Sequence, residues 1–90
     1  MGSAEFEYNC VKMLDDFYTN EGHSDEDFSI FMVWSCKILK NNKGLFSTNR
    51  ENDSRYFEIT YNGDADEFYV DCYCKEWNQV VPARLESVVV

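Results

Sequence analysis

An α+β domain, with an N-terminal helix packed on one face of a four-stranded antiparallel β-meander, is the fold class this chain predicts. Three observations lead there. Residues 4–20 space their apolar side chains as a helix does. Residues 28–39, 45–48 and 56–74 instead alternate with period two and are rich in aromatic and β-branched residues, which suit a pleated surface. Short stretches of Asn, Gly, Asp and Ser separate these runs and supply turn chemistry.

In the helix, Phe6, Cys10, Met13, Leu14 and Phe17 fall at i, i+4, i+7, i+8 and i+11 and make one apolar stripe. Ser3 is the expected N-cap, and Glu5 and Glu7 suit the positive end of the helix dipole. Glu7, Asp15 and Asp16 lie off the stripe and face water. Gly22 provides a left-handed stop. Met1 to Phe6 read in part as a cloning remnant to which no function is assigned. Ser24 to Asp27 form a polar loop leading into the first strand.

That strand covers residues 28–39. Ile30, Met32, Trp34, Cys36 and Ile38 sort to one face, and Phe31, Val33, Ser35, Lys37 and Leu39 to the other. Both faces are apolar toward its start, which suits a central strand or one covered by a partner. Asn41 to Gly44 are expected to turn the chain into a short strand, Leu45 to Thr48. Asn49 to Ser54 form a polar loop with no pattern. The central hairpin, Tyr56 to Trp77, then turns at Asn62-Gly63, where both residues tolerate positive φ. Its alternation puts Phe57, Ile59, Tyr61, Phe68, Val70 and Cys72 on a core face. Tyr56, Glu58, Thr60, Tyr69, Asp71 and Tyr73 lie on the reverse. Asn78 to Pro82 are expected as a short extra strand ended by proline. Arg84 to Val90 are left unassigned.

Ninety residues make one domain, 1–90. The net charge of −9 opposes direct binding of nucleic acid and favours a partner with a basic surface. No apolar run approaches the ~20 residues a membrane-spanning helix needs, and no leader pattern is evident. The compartment is therefore expected to be a reducing cytoplasm. Cys10, Cys36, Cys72 and Cys74 are expected to stay thiols and to pack as small hydrophobes.

At Val33-Trp34-Ser35-Cys36-Lys37, Asn41-Asn42-Lys43-Gly44-Leu45-Phe46-Ser47-Thr48, and Tyr56 through Asp64, the chain resembles a family of small uncharacterised phage and prophage proteins of Gram-positive bacteria. That family is a domain of unknown function whose members show VWSCK-x-L-x-NNKALLST, then YYE-x-TYNGDK, then E-x-Y-x-D-x-Y-K. The last block stands here as Glu67 to Lys75. The resemblance covers roughly residues 25–80. Gly44 replaces the usual Ala, Asp64-Ala65-Asp66 stands where Lys often follows the Asp, and Cys74 replaces a usual Lys. The resemblance implies a phage protein acting in the host bacterial cytoplasm on a host or phage protein. It carries no catalytic residues to transfer.

The remaining constellations are weak. Cys72-x-Cys74 puts two thiols on one strand face, about 7 Å apart, a poor chelate for a tetrahedral ion. His23 has no nucleophile beside it in sequence, and Asp64-x-Asp66-Glu67 lacks the frame of a calcium loop. No metal, cofactor or catalytic residue is assigned, and the protein is read as no enzyme. The reverse hairpin face gathers Tyr56, Glu58, Tyr69, Asp71 and Tyr73, with Trp77 beyond them. Tyrosine and tryptophan are enriched at interface hot spots, so these six are the expected partner-binding residues. The function expected is a small acidic non-enzymatic accessory protein that binds a host or phage protein. Inhibition of a nucleic-acid-binding target, in anti-defence or host takeover, is its sharper form. A homodimer, or a small-molecule or nucleotide-binding module, is the alternative.

Overall fold

The computed structural model describes residues 1–83, so the tail 84–90 lies outside the described residues. The elements are α1 (Ser3–Asn20), β1 (Ile30–Ile38), β2 (Asn41–Thr48), β3 (Arg55–Asn62) and β4 (Glu67–Cys74). The strands form one sheet in the order β1-β2-β3-β4, with every neighbouring pair antiparallel. Helix α1 lies on one face, as the sequence predicts.

The helix buries Phe6, Cys10, Leu14 and Tyr18, a ridge with a strict four-residue step. Met13 and Phe17, expected on the stripe, are half-buried at its margin, and Tyr18 is buried although the sequence pattern leaves it off the stripe. Each four-residue step advances about 400°, so the ridge drifts slowly and meets Phe46, Phe57, Ile59 and Tyr61 of β2 and β3. Phe6 is fully buried against Phe46, with ring centroids 6.1 Å apart. The leading segment is thus part of the core. Gly44 lies beneath it, where a Cβ would come within 3.0 Å of the Phe6 ring.

At the N-terminus the cap is Gly2, not Ser3, and it makes no side-chain hydrogen bond. The C-terminus follows expectation. Gly22 has φ +94°, its N–H donates to Thr19 O, and the His23 N–H donates to Tyr18 O. This paired closure satisfies two of the last carbonyls.

Two sequence expectations fail in β1 and β2. Met32 pairs with Phe46, but Trp34 pairs with Leu45, so Val33 is an extra residue in a β-bulge. A one-residue slip moves every later side chain to the other face. Ile30 and Met32 therefore pack toward the helix, whereas Trp34, Cys36 and Ile38 lie on the reverse, and Ser35 and Lys37 cross to the helix side. The turn also moves. It falls at Leu39-Lys40, with Leu39 at φ 56°, and Asn41 to Gly44 belong to β2.

In the central hairpin the register keeps Phe57, Ile59, Tyr61, Phe68, Val70 and Cys72 on the helix side. The helix reaches only one end of β4, where Phe6 stacks on Phe68 at 6.4 Å, so Val70 and Cys72 are exposed. Positive φ falls at Asp66 rather than at Asn62-Gly63. Gly63 is needed for closeness instead. A Cβ there would lie 2.1 Å from Lys40 O, because the two hairpin tips abut. The Gly63 N–H donates to Asn41 Oδ1 (3.0 Å) and Lys40 pairs with Asp64 (3.2 Å). Residues 75–83 carry no strand, so the extra strand expected at Asn78 to Pro82 is absent and the hairpin ends at Cys74. Of the four thiols only Cys10 is buried; Cys36, Cys72 and Cys74 are exposed and free.

Candidate functional site

Among the described residues, one face of the sheet has no layer upon it. Cross-strand partners share a face, so the register writes its rows directly. Trp34, Leu45, Glu58 and Asp71 make one row across all four strands, and Cys36, Lys43, Thr60 and Tyr69 make the next. At the far end Phe31 opposes Ser47, and Tyr56 opposes Tyr73. Phe31, Val33, Trp34, Tyr56, Tyr69 and Tyr73 are all exposed.

Five of the six sequence-expected binding residues come together here. Tyr56 and Tyr73 stack, with centroids 5.2 Å apart and planes at 15°. Glu58 and Asp71 are directly opposed. Lys43 reaches Glu58 at 3.1 Å, and that contact raises the lysine's pKa. The charges of Glu58 and Asp71 push the Tyr73 hydroxyl's pKa up, because a phenolate beside two carboxylates is disfavoured. Tyr69 donates to Glu67 Oε2 (2.9 Å), which raises its pKa too. Trp77 does not join them. It lies three residues beyond β4, 71% exposed.

The bulge adds what period-two sorting assigned elsewhere. Trp34 and Leu45 extend the aromatic and acidic hairpin face into an apolar half on β1 and β2, flanked by Phe31 and Val33. The available signal is the run Phe31-Met32-Val33-Trp34, four large apolar residues in succession, which a regular strand with one wet face does not tolerate.

On the other side, a polar cluster clamps the helix end to the loops. Asp53, whose side chain is 1% exposed, accepts from Tyr18 Oη (3.0 Å), Arg50 Nη1 (3.3 Å) and the backbone N, Nε and Nη2 of Arg55 (3.0 Å each). Arg55 also grips Glu21 through two bonds, and Arg50 reaches Glu26. His23 contacts Glu26 and lies 3.4 Å from Glu21. The Arg55 guanidinium holds Asp53 well below the usual carboxylate range. Burial, reinforced by Asp53, pushes Tyr18 up to about 12. Every charge here has a partner, so the cluster is a structural clasp. Among the described residues no three His, Cys, Asp or Glu side chains converge as metal ligands. Beside the clasp, α1 and β1 border a groove of about 670 Å³ lined by Tyr8, Val11, Tyr18, His23, Phe28 and Ile30.

The chain belongs to a family of unknown function, DUF6275, whose model matches residues 7–83. No curated protein and no solved structure matches it. No helix among the described residues is long and apolar enough to cross a membrane.

Proposed function

We propose that this protein is a non-enzymatic binding module whose uncovered sheet face docks a partner protein with a basic surface. The observation that carries the reading is the face itself: Phe31, Trp34, Tyr56, Tyr69 and Tyr73 exposed around Glu58 and Asp71, with no layer covering them among the described residues. Rigid aromatic rings supply contact area at small conformational cost, and carboxylates among them select cations. The net charge of −9 supports the same partner class through steering.

The motif resemblance to phage and prophage proteins supports a partner of host or phage origin, met in the bacterial cytoplasm. A nucleic-acid-binding protein has a basic surface of the required kind, so occupation of that surface would inhibit it. The test is affinity capture from bacterial lysate at low and physiological salt, beside the Tyr69→Ala/Tyr73→Ala double variant. The expected result is a discrete partner lost in the variant while its circular dichroism is unchanged. No partner at either salt, or the same partner on the variant, refutes the reading.

One observation favours a second reading, a small-molecule module: the groove between α1 and β1, with Tyr8, Tyr18 and His23 on its walls. A thermal-shift screen with a nucleotide and metabolite panel separates the two. Stabilisation sensitive to Tyr8→Ala but not to Tyr69→Ala supports the groove.

A further inference from the structure

The two edges of the sheet differ. The β1 edge carries the Val33 bulge, which bends the ladder and spoils pairing with another strand. Among the described residues the β4 edge is covered by no other element, and Glu67 and Asp71 are its only charges. Its eight residues pair with β3 in unbroken register from Arg55↔Cys74 to Asn62↔Glu67, without bulge, proline or lysine. The Lys75 N–H donates to Ser54 O at 2.9 Å, one step along the same register. Directly opposed residues in an antiparallel ladder alternate between bonded and non-bonded pairs. Counting back from Lys75, Tyr73, Asp71, Tyr69 and Glu67 turn their backbone groups to β3. Phe68, Val70, Cys72 and Cys74 turn theirs outward, away from the sheet.

The side chains on this edge are segregated as well. Val70, Cys72 and Cys74 are exposed on the helix side, where α1 does not reach. Glu67 and Asp71 lie on the open face beside Tyr69 and Tyr73, and Asp64 and Asp66 crowd the adjoining tip. The nearby cations are Arg55, engaged by Asp53 and Glu21, Lys40, bridged to Asp64, Lys43, bonded to Glu58, and Lys75 beyond the strand; Glu67 and Asp71 have no ion-pair partner among the described residues.

We propose that β4 is a strand-addition site that takes an extended segment of a cationic partner, alternately apolar and Lys/Arg. Main-chain bonds to Phe68, Val70, Cys72 and Cys74 supply affinity, and the alternate pockets supply specificity. The added strand's apolar side chains cover Val70 and Cys72. Its basic side chains lie beside Glu67 and Asp71 and extend the open face. A second copy of this chain fits poorly, because antiparallel β4–β4 pairing of Phe68 with Cys74 and Val70 with Cys72 sets Asp71 directly opposite its own copy, between two chains of charge −9. This inference rests on the basic-partner reading and names the element that receives the partner.

The probe is a peptide of alternating lysine and valine long enough to span β4, titrated at low salt into the full chain labelled with nitrogen-15. The amides of Phe68, Val70, Cys72 and Cys74 are expected to shift, while a glutamate–valine peptide moves nothing. Cys72→Pro removes one outward N–H and spares the β3 pairing; it is expected to weaken the lysine peptide roughly tenfold. A peptide N-methylated on its edge-facing amides is expected to fail against the unmodified protein, which keeps the test valid if the proline variant misfolds. No binding, or binding indifferent to both the proline and the N-methyl groups, overturns strand addition. If Tyr69→Ala/Tyr73→Ala then abolishes that indifferent binding, the face reading survives alone. If it does not, both fall. A dimer in sedimentation equilibrium that Cys72→Pro dissociates makes the occupant a second copy and overturns the cationic-partner claim.

Discussion

Replacing Asp53 with Asn tests the clasp that holds the helix to the sheet. The carboxylate is 1% exposed and accepts five hydrogen bonds, from Tyr18, Arg50 and Arg55. The amide keeps the shape but offers one acceptor, and turns a donor toward guanidinium groups. Breaking a fully buried ion pair costs about 3–5 kcal/mol. Here Arg50 and Arg55 retain Glu26 and Glu21 and are 19% and 21% exposed, so water relieves part of the loss. A loss of about 2–3 kcal/mol follows, which for a domain of this size lowers Tm by roughly 10–20 °C. Thermal and urea melts followed by circular dichroism measure it. The effect also depends on pH, with a definite sign. Arg55 holds the folded Asp53 carboxyl below its ordinary value of 3.8, so its stabilisation is complete above about pH 4 and disappears as the pH falls below that. The natural protein should lose stability steeply in that acid range and the Asn variant much less. A variant within about 0.5 kcal/mol of the natural protein at pH 7, or with an equal acid slope, refutes the clasp.

Other consequences follow from the packing. Gly63→Ala should cost about 1–3 kcal/mol in urea denaturation, since its Cβ would strike Lys40 O at 2.1 Å and part the hairpin tips; an unchanged midpoint contradicts the close approach. Gly22→Ala meets no atom within 4 Å, but its φ of +94° should still cost about 1 kcal/mol in the same assay. Thiol labelling at pH 8 read by mass spectrometry should modify the exposed Cys36 and Cys74 quickly, Cys72 more slowly because partial burial raises its pKa, and spare Cys10, which burial pushes up to about 12; fast labelling of Cys10 in the folded protein would contradict the burial. Trp34→Ala should leave the urea midpoint within about 1 kcal/mol, because the ring stands on the uncovered face at 45% exposure; a loss of ~3 kcal/mol or more would put it beneath the helix and deny the bulge.

The helix, the four-strand order and the pairing of β3 with β4 are legible in the sequence because each repeats a period several times. Phe6, Cys10 and Leu14 recur by fours, and Phe57, Ile59 and Tyr61 by twos, so one deviation does not mask the pattern. What sequence reading missed depends on single residues. Val33 resembles any strand valine, yet its insertion reverses Trp34, Cys36 and Ile38. Leu39 turns the chain at φ 56° where Asn and Gly a few residues on are the stronger signal, because the neighbouring hairpin tip holds Lys40 in place. The polar run Asn49 to Ser54 has no period at all. Arg50 and Asp53 within it acquire meaning through Arg55 next to the run and through Tyr18 and Glu26, more than twenty positions away. Of the expected binding set, the five hairpin residues share a face because the register is regular between β3 and β4. Trp77 falls outside it because the ladder stops at Cys74.

The stitched hairpin tips bear on how a visitor would be received. With Gly63 bonded to Asn41 and Lys40 bridged to Asp64, the two ribbons cannot scissor about the β2–β3 seam at that end. The exposed rings therefore stand on a braced platform whose curvature is set in advance. Little ordering remains to be done at docking, so differences in grip among ligands should be read mainly in how slowly they leave.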